Sequence, residues 1–150
     1  MPGHWLDDGD ATLHFPFGSA LSFRDCPSAL ACIYYWTGLL LFYPCMLELR
    51  RAAFPQYGYQ ADEARYMQGR QLAGRICQSL DFVLSQSSQP DLLVVPLAAV
   101  EGFYKGIQEP SAYGTLELVW CQGFRERLAV RGEYLAGLLH KRRWAELGRF

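Results

Sequence analysis

Three histidines, five cysteines and one acidic cluster are the residues whose types could support catalysis or hold a metal. The histidines are His4, His14 and His140, and the cysteines are Cys26, Cys32, Cys45, Cys77 and Cys121. Nucleophilic catalysis needs a Ser or Cys oriented by a His. Two of the histidines lie near the N-terminus and the third opens a basic stretch, so no local arrangement of that kind is present. The sequence holds no G-x-S-x-G elbow, no phosphate-cradling Gly loop and no H-E-x-x-H pair. A zinc site needs Cys or His ligands at converging spacings. The nearest cysteines, Cys26 and Cys32, have no second pair close by. Asp7, Asp8 and Asp10 around Gly9 lack the alternating oxygens and distal Glu of a calcium loop, and read as a solvated tail. The expectation is a protein that is not an enzyme, with no catalytic residue, no metal and no cofactor.

An odd number of cysteines at irregular spacing argues against a disulfide framework. All five read as reduced, structural thiols in an intracellular protein. The start MPGHWLDDGD is acidic and carries no basic region before an apolar run, so no secretory signal is expected.

Two further groups of residues have functional readings. Tyr35, Trp36, Trp120 and Phe124 are candidates for lining a ligand pocket, although aromatics at helical spacing more often form core. Lys141, Arg142 and Arg143, following His140, are a candidate nuclear-localisation patch. The plainer account is that cations favour the negative end of a helix dipole. The chain as a whole has a net charge of −1 and a pI near 6.3. Without a basic surplus, direct nucleic-acid binding is not expected.

These residues must be positioned by helices. Residues 1–28 are acidic and mostly irregular, with Leu13–Phe17 and Ala20–Phe23 able to pin an extended segment to a core. The run Ala29–Leu47 holds nineteen residues without a formal charge. Ser28 is the expected N-cap of a helix over 29–53, and Pro44 predicts a kink near Leu40–Tyr43. The run is long enough to cross a bilayer. Tyr34, Tyr35 and Trp36 fall towards its middle, whereas such aromatics prefer the membrane interface, so a core helix is favoured over a span. A second helix over 62–86 places Leu72, Ala73, Ile76, Cys77, Leu80, Val83 and Leu84 on one face. Leu92–Val95 is either a short strand or a first helical turn, and Pro96 opens a helix through Gln108. Another helix begins between Ser111 and Thr115 and ends at a Gly132 cap, and a last one starts near Tyr134. The expected class is all-α: about five helices in an irregular array around the central apolar helix 29–53, with 29–150 as one domain.

The order of these features resembles a known family. FPFGSALSF leads into IYYWTGLLLFY, then ARYMQGRQLAGRICQSLDFVLSQ, LLVVPLAAVEGFY and ELVWCQGFRERLAVRG. Tyr35-Trp36 at the Leu-rich helix, Ile76-Cys77-Gln78-Ser79, and Pro96-Leu97 carry the signal across residues 15–140. The chain resembles the C-terminal part of the fungal-specific regulatory domain of transcription factors that bear a six-cysteine binuclear zinc cluster. The five cysteines here do not match that cluster, so no metal ligand and no DNA contact carries over. The resemblance implies a regulatory or effector module acting through protein contacts, nuclear, linked to a secondary-metabolite pathway and open to a small-molecule effector. It further implies a truncated or fragmentary regulator, whose missing partner helices would leave apolar surface exposed and promote self-association. Two alternatives stand beside it: a single-pass membrane protein anchored by 29–47, and a small α-helical enzyme or ligand-binding accessory protein.

Overall fold

The computed structural model describes residues 15–108 and 114–147, with side chains described there except at 43, 47, 57–65, 108 and 137–147. Over these residues the chain is all-α, with no strand. Four helices are present: α1 (Cys26–Ala53), α2 (Gly58–Gln86), α3 (Val94–Gln108) and α4 (Thr115–Leu147). Short 3-10 turns at Pro55–Tyr57 and Pro90–Leu93 lead into α2 and α3.

The first helix starts three residues earlier than a Ser28 cap allows. Asp25 is the cap, and its carboxylate Oδ1 accepts the Ser28 amide at 2.8 Å. Pro27 is tolerated in this first turn because its missing N–H would have had no helical acceptor. The hydrogen bonds from the Ser28 side chain and backbone hold the Asp25 carboxyl below its usual value. At the other end the Phe54 amide bonds the Arg50 carbonyl, and Pro44 lies inside the helix.

Only the four-residue connection 54–57 joins α1 to α2, so the two run antiparallel. The Arg75 guanidinium sits 6.0 Å from the centre of the Trp36 ring, one contact across the hairpin. The seven apolar residues expected on one face of α2 are all buried there. They meet Ala29, Ile33 and Leu40 of α1, Leu97, Val100 and Tyr104 of α3, and Cys121, Phe124 and Leu128 of α4 in one core. Each fully buried Leu, Ile, Val or Phe contributes about 1.5–3 kcal/mol relative to exposure. Two polar side chains in this core are satisfied within their own helices. Thr37 donates to the Ile33 carbonyl at 2.7 Å, and Ser79 to the Arg75 carbonyl at 2.7 Å.

The segment at Leu92–Val95 is helical: a 3-10 turn opened by Pro90 passes directly into α3. Pro96 then falls in the first turn of α3, where no intrahelical donor is needed. Gly114 adopts φ +90, a conformation that favours glycine, and its carbonyl accepts the Leu118 amide at the start of α4. The expected break at Gly132 is absent. The last two expected helices are one, because an interior Gly costs only about 1 kcal/mol, which the flanking turns can carry. This is why four helices appear among the described residues rather than about five.

Burial is uneven along the hairpin. No described side chain of α1 after Leu40 is buried, and none of α2 before Gly69. The core therefore occupies the proximal half of the α1–α2 hairpin together with α3 and the first half of α4.

Candidate functional site

The four candidate pocket aromatics are not brought to one place. Trp120 and Phe124 stack, with ring centres 5.4 Å apart. The chain fills the space beside them with its own residues. Phe17 meets Trp120 edge-on at 5.1 Å, Phe15 does so at 5.6 Å, and Tyr104 lies 6.2 Å from Phe17. This segment is tied down through Gln78, whose Nε2 donates to the Phe17 carbonyl at 2.8 Å. The Gln78 carbonyl in turn accepts the Leu21 amide at 2.8 Å. Phe23 packs on Phe82 in the same way. The pinned N-terminal segment is thus present over Phe15–Phe23, whereas Leu13, His4, His14 and the Asp7–Asp10 cluster lie outside the described residues. Trp36 is half-buried beside Arg75, with no ring contact to Trp120 or Phe124 among the described residues, and Tyr35 is 65% exposed. Lys141, Arg142 and Arg143 fall within the span of α4, but their side chains, like that of His140, lie outside the described residues.

Among the described residues no group of three or more His, Cys, Asp or Glu is placed to hold a metal ion. Cys77 and Cys121 are buried in the core, Cys26 and Cys32 are half-buried, and Cys45 is exposed. Burial, with a smaller effect from the adjacent Cys121, pushes the Cys77 thiol well above its ordinary range. Held as a thiol, it is a poor nucleophile at neutral pH. Burial likewise raises the Tyr104 phenol, so it stays protonated.

A shallow groove of about 720 Å³ runs between α2 and α4, lined by residues including Asp81, Leu84, Arg127, Val130, Arg131 and Tyr134. Arg127 bonds Asp81 at 2.6 Å across it. Arg131 lies 5.8 Å from the Tyr134 ring, and its buried Nε makes no hydrogen bond among the described residues. One charge on each side of the groove is already paired, which leaves an open, mostly apolar trough rather than an enclosed ligand cavity.

Large apolar side chains stand exposed along the outer face of α1, as Leu116, Val119 and Val130 do on α4. Tyr35, Leu41, Phe42, Met46 and Leu49 expose between 50% and 69% of their surface, and Tyr34 exposes 41%. Tyr34 still donates its hydroxyl to the Leu92 carbonyl at 2.6 Å, which anchors that ring to the α2–α3 connection. Phe54 and Met67, at 52% and 61%, extend the apolar surface around the hairpin tip. Exposed apolar side chains that recur along one helix, unlike single ones scattered over a surface, mark a candidate contact face. Phe42, Met46 and Leu49 are the residues that the composition of the run could not single out, because a helix apolar all round does not reveal which side faces inward. No family model matches this chain, and no curated protein and no solved structure is similar to it.

Proposed function

We propose that the chain is a regulatory module acting through protein contacts, of the kind found in fungal transcription regulators, with no catalytic site and no DNA-binding element of its own. The observation that carries the reading is the distal α1 face, where large apolar side chains stand exposed along one helix. Fully burying one such side chain is worth about 1.5–3 kcal/mol, so this face supplies a driving force for association. The ordered motifs from Phe15 to Gly132 supply the class of module. Nuclear delivery through Lys141, Arg142 and Arg143, a place beside secondary-metabolite genes and a small-molecule effector belong to the same reading.

The test is a reporter assay in a fungal cell, with the full chain fused to an unrelated DNA-binding domain. Reporter output is expected to change relative to the DNA-binding domain alone and to return to that baseline with Phe42→Asp. Output equal to the baseline with the wild-type chain would count against a regulatory role.

Two observations support the membrane anchor: α1 has 28 residues and an apolar stretch long enough to cross a bilayer, and only 19% of that stretch is buried. The position of α2 opposes it. A spanning α1 would carry Arg70, Gln71 and Arg75 into the hydrocarbon, where unpaired polar and charged groups are costly. Alkaline carbonate extraction separates the readings: the module is released to the supernatant, and a spanning helix stays in the pellet.

A further inference from the structure

The outer face of α1 carries a repeat in which small and large residues alternate. Ala31, Gly38, Cys45 and Ala52 are small and seven residues apart, and all four are exposed. Tyr35, Phe42 and Leu49 are large, also seven apart, and exposed as well. Together they alternate by four and three residues, which is the a/d spacing of a seam that packs against another helix. The residues that face the chain's own core, Ala29, Ile33, Thr37 and Leu40, lie on the opposite side of the same helix. α1 therefore has one face packed on the core and a second face with the pattern of an interhelical contact, left exposed among the described residues.

We propose that this seam pairs antiparallel with the same seam of a second copy, about a two-fold axis between residues 43 and 44. The proposal names the partner for the contact surface on which the function above rests. Antiparallel pairing sets a positions against d positions. In the register centred there, Tyr35 meets Ala52 of the second copy, Leu49 meets Gly38, and Phe42 meets Cys45. Each large side chain faces a small one in all six layers, at one constant helix separation. A parallel pair would instead set Tyr35 on Tyr35 and Gly38 on Gly38, alternating crowding with gaps. The contact is self-complementary, as a two-fold interface must be. It also opposes no like charges: Glu48, Arg50 and Arg51 lie beyond the apolar run and face the uncharged stretch 36–39 of the other copy.

The area is adequate as well. Tyr34, Tyr35, Leu41, Phe42, Met46 and Leu49 offer on the order of 800 Å² per copy, about one side of a standard interface. Gly38 gives a clean handle, because a β-carbon there meets nothing within 4 Å among the described residues. Substitution at residue 38 therefore starts from open space on the outer face of α1.

Sedimentation equilibrium of the purified full chain, over a range of concentrations, reads the outcome. The expected mass is twice 17.1 kDa at high concentration. Gly38→Leu is expected to return the monomer mass with helicity by circular dichroism retained, since the substitution favours the helix. In the double variant Gly38→Cys and Leu49→Cys, oxidation is expected to link residue 38 to residue 49 of the other copy. These positions stand three turns apart within one helix and cannot bridge internally. A monomer at every concentration, a dimer unmoved by Gly38→Leu, or a 38–38 linkage would each overturn the proposal. None of these results touches the reporter assay, which a face serving a different protein partner would still pass.

Discussion

Phe103 on α3 lies so close over Gly69 on α2 that a β-carbon at residue 69 would overlap its ring. The glycine is what lets the two helices approach at the point where burial on α2 begins. Replacing it with Ala gains about 1 kcal/mol of helix propensity. The substitution also drives the ring from its place, and overpacking of this kind costs about 1–3 kcal/mol. Gly69→Ala should lose about 1 kcal/mol net in urea denaturation. Gly74, five residues on, has open space around it, so Gly74→Ala should gain about 1 kcal/mol. Equal effects from the two substitutions would contradict the Phe103 contact.

Gln78 holds the segment 15–23 by two bonds, its side-chain amide on the Phe17 carbonyl and its own carbonyl under the Leu21 amide. Gln78→Ala removes only the first, a loss of about 1 kcal/mol. Trp120→Ala removes the ring on which Phe15 and Phe17 rest and should cost about 3–5 kcal/mol. Limited proteolysis distinguishes local from global loosening. With Gln78→Ala, cleavage between Phe15 and Phe23 should quicken while α2 and α4 stay intact. Uniform digestion would mean that the segment is part of the main cooperative unit.

Asp25 gives the chain one acid-sensitive contact whose sign is fixed. Its folded-state pKa lies below the ordinary 3.8 because Ser28 bonds the charged form. The stabilisation is therefore complete above the unfolded-state value and is lost as pH falls through the lower folded-state value. Asp25→Ala should melt below the wild type at neutral pH, and the gap should narrow in strongly acidic buffer. A gap that widens on acidification would place the bond elsewhere.

How much of this was legible in the sequence depends on periodicity. The buried face of α2 could be read residue by residue, because Leu72, Ile76, Leu80 and Leu84 recur every four positions between polar neighbours. Pro96 marked the approach to α3, and Thr115 opened α4 within the expected window. Gly132 misled because a glycine after a periodic stretch has the same local signature whether it caps a helix or lies within one. Its β-carbon position is open, so Gly132→Ala should stabilise the chain by about 1 kcal/mol, whereas a cap in a left-handed conformation would be destabilised. Asp25 displaced Ser28 as the cap because Pro27 can sit inside a first turn. The outer face of α1 was hidden for a different reason. Nineteen uncharged residues carry no polar stripe, so the run discloses its burial need but not its direction. Only the structure, by setting Ile33 and Leu40 inward, isolates the heptad of small residues from Ala31 to Ala52.

Cys45 converts that heptad into a solution measurement. It is exposed, while Cys77 and Cys121 are buried and Cys26 and Cys32 are half-buried. Reaction with a maleimide requires thiolate and access. At neutral pH in dilute solution Cys45 should therefore label first. Cys77, buried and with its thiol pushed up, should label only on unfolding. In the antiparallel register Phe42 of the second copy covers Cys45, so its labelling should slow as protein concentration rises through the dimer range. Gly38→Leu should restore the dilute rate at every concentration. Peptide mapping of the labelled sites follows each cysteine separately. If the mass doubles while Cys45 stays equally reactive, the two copies meet through another surface, and the α2–α4 groove around Arg127 and Arg131 becomes the place to substitute next.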